Sequence, residues 1–291
     1  MKNVISYCLF GGERSYWHPV PFVMMASSVM YKGMTQRFHV HQDFTGTPGF
    51  KCLDAASKEG LVELEVDAFP YSGKSFMIKR ICPMWDKDVQ FFFPRDIDAL
   101  PSSEEVRAVR VFMNKDALIH GIRGFRSHTI RIMGGLCGFR ADALRHMIPS
   151  SFDDFLIEAW KTVKEMGHDG WQWNSDQEFL SRFFAKFESR ILDTPLGDAR
   201  VLEWHKAIKL DRSEYDGQSL EDIPKNVRAT CDLTYQFPGA PIKFPDGLIH
   251  TFMAWNNPMS TFIRTFFRRN PDIGKEWGIS HEAGLLNRRP E

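Results

Sequence analysis

The sequence has no excess of charge of either sign. Lysine and arginine together number 37, and so do aspartate and glutamate, so the formal net charge at pH 7 is zero. Proteins that hold nucleic acid or an anionic membrane by electrostatic attraction usually carry an excess of positive charge. We therefore expect neither nucleic acid nor a membrane surface as a partner.

Long apolar runs and a disulfide framework are also missing. No run approaches the ~20 apolar residues of a membrane-spanning helix, so no transmembrane segment is predicted. The apolar stretch at the N-terminus is too brief for a secretion signal. The five cysteines are odd in number, scattered and mostly within apolar runs, which is typical of reduced core thiols and of a cytoplasmic protein: Cys8, Cys52, Cys82, Cys137 and Cys231.

What the sequence does contain is an alternation of strand-like and helix-like segments. Runs of β-branched and aromatic residues alternate with apolar residues at helical spacing, which favours βαβ units and a mostly parallel sheet flanked by helices. The predicted strands are residues 3–10, 37–44, 61–69, 89–93 and 117–123. The predicted helices are residues 19–31, 50–59, 74–81, 104–114, 141–147 and 152–166.

The composition changes at about residue 210. Residues 1–209 carry the alternating pattern and are predicted to form one α/β domain. Residues 210–291 are richer in proline, glycine and polar residues, and we expect them to wrap and pack on the same domain as an extension. Within them, residues 259–269 are amphipathic and basic. Docking on a membrane surface is one interpretation, but a terminal helix packed on the domain is commoner and is our prediction.

The most informative stretch is the end of the fourth predicted strand. Residues 89–93 are β-branched and aromatic and predict a strand buried on both faces. Pro94 cannot donate to a sheet ladder, so the strand is predicted to end there. Asp96 and Asp98 follow one residue apart, and carboxylates on such a loop can converge on a hard divalent cation. The alternative is a pair of solvated turn acids, but the position beside a core strand favours a metal site.

Two glycine pairs are placed where a backbone could approach a ligand closely. The first predicted strand ends at Phe10 and is followed by Gly11 and Gly12, an order suited to the carboxyl edge of a parallel sheet. Gly134 and Gly135 follow a further predicted strand, residues 127–133. For this second pair, a bulge or a tight sheet corner is the alternative interpretation.

Asp176 lies at the start of a further predicted helix, just after two tryptophans. Trp171 and Trp173 could stack on a sugar ring, although a large aromatic side chain is more often part of the core. Asp176 could be an N-terminal helix cap or a catalytic carboxylate. The local sequence leaves both roles open.

Together these features resemble the GT-A class of nucleotide-sugar glycosyltransferases. A narrower resemblance, to a group of small viral and bacterial glycosyltransferase-like proteins, covers roughly residues 3–195. That group has Arg-Asp-His-Pro where this chain has Arg123-Gly124-Phe125-Arg126. The matching segments are Arg95-Asp96-Ile97-Asp98, Glu104 or Glu105, residues 117–123, Ser127-His128 and Met133-Gly134-Gly135.

The resemblance implies a GT-A-like fold in which residues 1–209 form the catalytic domain. It also implies a UDP- or GDP-sugar donor, a glycan or other hydroxyl acceptor, and Mn²⁺ or Mg²⁺ as cofactor. Asp96 and Asp98 would hold the metal, with His205 as a further ligand and His250 in reserve. The expected donor-binding residues are Phe10, Gly11, Gly12, Arg80, Arg95, Asp96, Arg123, Gly134 and Gly135, with the arginines steadying the phosphates.

An inverting enzyme of this class needs a general base for the acceptor proton. Asp176 is the predicted base and His128 the second choice. In a retaining enzyme, Asp176 would position the acceptor or stabilise the developing positive charge. The sequence leaves open the stereochemistry, the donor sugar and base, the acceptor and the oligomeric state.

Two other functions fit the same residues. A glycan-binding protein without catalysis would use the tryptophans for stacking, and its acids would be incidental. A metal-dependent hydrolase or nucleotidyltransferase on a similar sheet would release a nucleoside monophosphate or pyrophosphate instead of a nucleoside diphosphate.

Overall fold

The computed structural model describes residues 1–68, 73–124, 130, 132–167, 170–172, 174–196, 206–233, 258–277 and 279. Its strands are β1 Lys2–Leu9, β2 Thr35–His41, β3 Glu63–Asp67, β4 Val89–Arg95, β5 Ile119–Arg123, β6 Cys137–Arg140, β7 Ile191–Pro195 and β8 Ile208–Lys209. They form one eight-stranded sheet in the order β3-β2-β1-β4-β6-β5-β7-β8. β6 is antiparallel to β4 and β5, and the other pairs are parallel. The predicted mostly parallel α/β sheet is confirmed.

The central strand β4 is apolar on both faces, and every residue in it except Gln90 is buried. It continues through Pro94 to Arg95, so the prediction that it ends at Pro94 is wrong. The ladder between β4 and β6 covers only Phe91 and Phe92, while β1 stays paired with β4 to its end. On the β6 side the pairing is interrupted at Phe93 and Pro94 and is found again as an isolated bridge between Arg95 and Leu136. The missing N–H of Pro94 falls in this gap.

The strand directions bring several loops to one edge of the sheet. β1, β2, β3, β4, β5 and β7 all run the same way, so their carboxyl ends meet there. β6 runs the opposite way, so the segment before it starts at that same edge. Open α/β sheets bind their ligands beyond the carboxyl ends of the strands, and this edge carries the candidate site.

Helices cover both faces of the sheet. The helices are α1 Arg14–Trp17, α2 Val20–Met30, α3 Pro48–Lys58, α4 Ser103–Asn114, α5 Ala141–Leu144, α6 Phe152–Glu165, α7 Ser175–Phe183, α8 Arg212–Asp216, α9 Lys225–Leu233, α10 Pro258–Arg269 and α11 Pro271–Lys275. α2, α3, α4 and the C-terminal helices pack on one face, and the Gly73–Trp85 run of 3-10 turns packs with α5, α6 and α7 on the other. Short 3-10 segments are Gln42–Phe44 and Phe184–Arg190.

The C-terminal helices pack on the sheet domain. α10 lies against α2 and buries Ile263 and Phe267, and Trp277 donates from Nε1 to the His18 carbonyl oxygen at 2.9 Å. This agrees with the prediction of a packed terminal helix, because the apolar face that a membrane would cover is used within the protein. The division at residue 209 stays a prediction. Within the described ranges, no helix has the length and apolarity needed to cross a membrane.

Some elements were not predicted from the sequence. α1, β7 and β8 are short, and their residues show no clear periodicity. The strand expected over residues 127–133 falls partly on residues 127–129 and 131, which lie outside the described residues, while Ile130 and Ile132 are in bends. All five cysteines lie in the described part of the chain, and none forms a disulfide with another.

Candidate active site

The predicted metal loop leaves the sheet at its carboxyl edge. Tyr7 of β1 is paired with Arg95 of β4, so the loops that follow these two strands start side by side. Ile97 turns into the core and is 3% exposed, whereas Asp96 and Asp98 on either side of it are partly exposed. The buried isoleucine anchors the loop, and the two carboxylates remain at its surface.

Arg80 joins this loop to Asp176. The arginine comes from the 3-10 run Gly73–Trp85 and is 2% exposed. Its Nη1 donates to Asp96 Oδ1 at 2.5 Å and its Nη2 donates to Asp176 Oδ2 at 2.5 Å. Burial alone would lower the pKa of the Arg80 guanidinium, but the charges of Asp96 and Asp176 outweigh burial and raise this pKa above its ordinary value. Arg80 is therefore a buried cation shared by two carboxylates.

The positions of Gly134 and Gly135 leave no room for a side chain. A Cβ atom at Gly134 would overlap Arg80 Nη2 and Asp176 Oδ2, and a Cβ at Gly135 would overlap the carboxylate of Asp96. Neither glycine has a positive φ angle, so backbone conformation is not the reason for glycine here. The segment before β6 can lie directly against Asp96, Asp176 and Arg80 only because both positions lack a side chain. We call Asp96, Asp98 and Asp176 the acidic cluster.

Asp176 does not cap its helix. The N-cap of α7 is Asn174, which has a φ of 72° and makes no side-chain capping hydrogen bond. Asp176 lies two residues further on, is 3% exposed and directs its carboxylate to Arg80. The capping interpretation is therefore wrong, and the buried carboxylate is the partner of Arg80, which it shares with Asp96.

The pKa of Asp98 is raised strongly by its surroundings. Burial, and next the negative charge of Asp96, raise the pKa of Asp98 to about 7, while a backbone hydrogen bond and the charge of Arg80 act in the opposite direction. A carboxyl group with this pKa is partly protonated at neutral pH. A divalent cation bound between Asp96 and Asp98 would replace that proton and relieve the repulsion between them.

Among the described residues, the metal prediction rests on Asp96 and Asp98. They contain no group of three or more His, Cys, Asp or Glu side chains placed to hold a metal. Asp96 and Asp98 offer two hard oxygen donors whose crowding already favours a bound cation, which fits Mg²⁺ or Mn²⁺. The predicted third ligand, His205, and its reserve, His250, lie outside the described residues.

Two of the predicted phosphate-binding arginines direct their donors into the protein. The Arg95 guanidinium is hydrogen-bonded to Glu105, and its Nη1 donates to the Pro94 and Cys137 carbonyl oxygens at 2.6 and 2.8 Å. Arg123 is 0% exposed, and its Nη2 lies 2.9 and 3.1 Å from the two carboxylate oxygens of Asp193. These contacts tie β4 to α4 and β5 to β7.

The loop after β1 forms the neighbouring part of the edge. Gly11 has a φ of 72° and donates its N–H to Asp43 Oδ1 at 2.8 Å, and a Cβ at Gly12 would meet nothing within 4 Å. The Phe10 and Tyr16 rings are 6.0 Å apart. Burial, then the charges of Asp98, Glu13 and Asp96, raise the pKa of Tyr16, which places this ring close to the metal loop.

Asp43 and Tyr16 were not identified from the sequence. Asp43 shortly follows the end of β2 as Asp96 follows the end of β4, so the order of strand and acid could have pointed to it. Tyr16 gave no such signal, because α1 is a single turn without periodicity.

The remaining predicted residues divide into two groups. Trp171 packs against the core and lies edge-on to Trp160, with ring centroids 5.7 Å apart. It therefore takes the core role that was the commoner expectation. His128 and Trp173 lie outside the described residues, so their predicted roles stay predictions.

Comparison with known proteins finds similarity at the level of solved structures alone. No protein-family profile and no curated protein sequence matches the chain. The crystal structure of S. aureus TarS 1-349 in complex with UDP is 12% identical, with 97% of this chain and 76% of that chain covered and a TM-score of 0.43. The glycosyltransferase GlyE of Streptococcus pneumoniae TIGR4 is 11% identical, with 67% and 46% covered and a TM-score of 0.42.

A third similar structure is the mannosyltransferase PcManGT of Pyrobaculum calidifontis in complex with GDP-Man and Mn²⁺. It is 12% identical, with 68% of this chain and 55% of that chain covered and a TM-score of 0.42. The chain thus spans about half the length of GlyE and PcManGT. All three TM-scores are below 0.5, so these likenesses carry no argument about activity, which has to rest on the residues of the site.

Proposed function

We propose that this chain is a metal-dependent glycosyltransferase that moves a sugar from a UDP- or GDP-sugar to a hydroxyl group of a glycan or other acceptor. The observation that carries this proposal is the meeting of Asp96, Asp98 and Asp176 around Arg80 at the carboxyl edge of the sheet. Asp96 and Asp176 share one buried cation, Asp98 interacts with Asp96, and a glycine pair lies beside them. This grouping suits a reaction that combines a metal-bound diphosphate with proton removal.

The donor half of the site would be built by the loops after β1 and β4. Departure of a nucleoside diphosphate concentrates negative charge on the phosphate oxygens. Mn²⁺ or Mg²⁺, held by Asp96 and Asp98 with His205 or His250 as further ligand, would supply Lewis acidity for that charge. The nucleoside would lie along Phe10, Gly11 and Gly12, where the two glycines leave open space beside the backbone.

The acceptor half of the site would be built around Asp176. The acceptor oxygen bonds to the anomeric carbon while the bond from that carbon to the phosphate oxygen breaks, and the hydroxyl proton has to leave. In an inverting reaction Asp176 would accept that proton, with His128 as the second candidate. In a retaining reaction Asp176 would orient the acceptor or stabilise the positive charge at the sugar.

A binding experiment on the metal loop tests the proposal. A ligand that binds only the native state stabilises it, by about 2.7 kcal/mol at a hundredfold excess over Kd. UDP-glucose, UDP-N-acetylglucosamine and GDP-mannose are screened by thermal shift with and without Mn²⁺. We expect at least one to raise the melting temperature only with Mn²⁺, and Asp98→Ala to abolish that rise while the protein stays folded.

Asp88→Ala is the matched control, because Asp88 is an exposed loop acid at the opposite end of the same strand. It should keep the Mn²⁺-dependent shift. If Asp98→Ala binds these sugars in Mn²⁺ as tightly as the wild type, the proposal is wrong. The reaction product separates the other functions: a nucleoside diphosphate supports transfer, a monophosphate or pyrophosphate indicates a hydrolase or nucleotidyltransferase, and sugar binding without turnover indicates a glycan-binding protein.

A further inference from the structure

Three distant segments of the chain meet at the guanidinium of Arg80. Arg80 lies 16 residues before Asp96 and 96 residues before Asp176. One terminal nitrogen is used for each carboxylate, at 2.5 Å in both cases. The proposed donor side and the proposed acceptor side of the site therefore share a single buried side chain.

The geometry of this bridge is restricted by its surroundings. Arg80 and Asp176 are 2% and 3% exposed, so neither charge has bulk water as an alternative partner. A planar guanidinium fixes both the distance and the orientation of the carboxylates it binds, which a lysine ammonium cannot do. Gly134 packs directly against this ion pair, because even a Cβ atom there would overlap both Arg80 and Asp176.

We propose that Arg80 is a positioning residue that holds Asp176 in a fixed place relative to Asp96. This inference rests on the proposed function, in which Asp96 serves the donor and Asp176 the acceptor. The two functional carboxylates lie on separate elements, the loop after β4 and the start of α7, and Arg80 connects them. An arginine that contacted a donor phosphate would have a different effect when substituted, so the two roles can be separated.

The substitution Arg80→Lys keeps the charge but cannot reach both carboxylates in the same geometry. Binding of UDP and of GDP with Mn²⁺ is measured by titration calorimetry, and turnover of UDP-glucose, UDP-N-acetylglucosamine and GDP-mannose by release of the nucleoside diphosphate. A misplacement of about 1 Å can cost about 10²-fold in rate. We expect the rate at saturating donor to fall by about that factor and the Kd of the Mn²⁺–nucleotide complex to change less than about threefold.

Arg37→Lys is the matched control. Arg37 is 6% exposed, and it also spans two carboxylates, with Nε 2.7 Å from Glu63 and Nη2 2.7 Å from Asp86. We expect a similar loss of thermal stability and an unchanged rate, because this arginine touches no residue of the site. Retention of the wild-type rate by Arg80→Lys overturns the proposal. So does a loss of nucleotide binding in step with the rate, since Arg80 would then act on the donor side of the site, through Asp96 or a phosphate, and not through Asp176.

A denaturation cycle tests the bridge without any substrate. In the wild-type background, Asp176→Asn should lower the urea midpoint, because Arg80 loses a charged partner. In an Arg80→Met background the same change should leave the midpoint unchanged or raise it, because it then removes an uncompensated buried carboxylate. An equal loss in both backgrounds overturns the proposal. If the wild type binds no Mn²⁺–nucleotide and turns over no donor, the proposed function fails, and this cycle still decides whether Arg80 holds Asp176 in place.

Discussion

At the scale of single residues, the candidate site is determined by space and charge. Gly134 and Gly135 are glycines because the acidic cluster occupies the volume where a Cβ would be. Asp176 is buried because Arg80 supplies its counter-ion. A substitution at one of these glycines or at Asp176 therefore disturbs the contacts of Arg80 with its carboxylates or the position of Asp96.

Gly135→Ala should disturb the metal loop. The new methyl group would overlap the Asp96 carboxylate, and overpacking of this kind costs about 1–3 kcal/mol. We expect Asp96 to move and the Mn²⁺-dependent affinity for UDP or GDP to fall by about tenfold or more, since 1.4 kcal/mol is about a factor of ten. Gly46→Ala is the control, because a Cβ there meets nothing within 4 Å. Equal affinities in the two variants would contradict the described contact.

Asp176→Asn should affect both stability and rate. Asparagine keeps the shape but removes the charge that Arg80 requires, although Asp96 remains as its other partner. We expect a loss of about 1–3 kcal/mol in the free energy of unfolding, the range for a buried polar group that loses its partner. Loss of a general base should lower transfer to the acceptor by about 10²–10⁴, measured as product formed at saturating donor.

The control for this variant is Asp153→Asn. Asp153 holds the same position in the first turn of α6 as Asp176 does in α7, but it is exposed. Its loss should remove only the interaction with the helix dipole, about 0.3–1 kcal/mol, and leave the rate unchanged. Full transfer activity in Asp176→Asn would remove Asp176 from the site and pass the role of base to His128.

At the scale of elements, the amphipathic helix α10 buries its apolar face against the rest of the domain. α2 is apolar almost all round, with nine of its 11 residues buried. Such a helix needs cover on both sides, and α9 and α10 provide it on the side away from the sheet. The apolar face of α10 is therefore a packing surface of the domain, and its basic residues Arg268 and Arg269 are exposed.

Phe267→Ala should show how much the packing of α10 contributes to the free energy of unfolding. Phe267 is 0% exposed, and its ring lies 5.7 Å from that of Trp277. Removal of a buried phenylalanine side chain costs about 3–5 kcal/mol, which urea denaturation measures directly. Phe262→Ala, at a partly buried position of the same helix, should cost clearly less. Equal small losses would mean that α10 does not pack on α2.

At the scale of the whole molecule, one carboxyl group should make stability depend on pH. The folded-state pKa of Asp98 is raised to about 7, whereas an unfolded aspartate has a pKa of about 3.9. Between these values the folded state keeps a proton that the unfolded state releases. The contribution of Asp98 to stability is therefore fully present below the unfolded pKa and is lost as the pH rises through about 7.

Asp98→Asn should remove this dependence. At pH 8 without divalent metal, we expect the variant to be more stable than the wild type by about 1–3 kcal/mol, after allowance for solvent screening of a partly exposed group. At pH 4 to 5 the difference should become small. Mn²⁺ at pH 8 should stabilise the wild type and not the variant. Urea denaturation at several pH values, with EDTA or Mn²⁺, measures all of these, and a wild type whose stability rises from pH 5 to 8 through this group would contradict the prediction.

The sequence by itself determined the alternation of strands and helices, the position of β4 in the core and the carboxylates that follow it. These features depend on local periodicity and on residues that are neighbours in the chain, so they can be read without the fold. It could not exclude a helix cap at Asp176 or assign Arg95 and Arg123 to internal pairs, because each partner is supplied by another part of the chain.

Only the tertiary structure decided how the separate pieces meet. The insertion of β6 antiparallel between β4 and β5 brings Gly134 and Gly135 to the edge where the parallel strands end. The packing of α7 beside the 3-10 run Gly73–Trp85 then places Asp176 against Arg80, 96 residues away in the chain. Such contacts depend on strand order, register and the burial of charge, which no local pattern encodes.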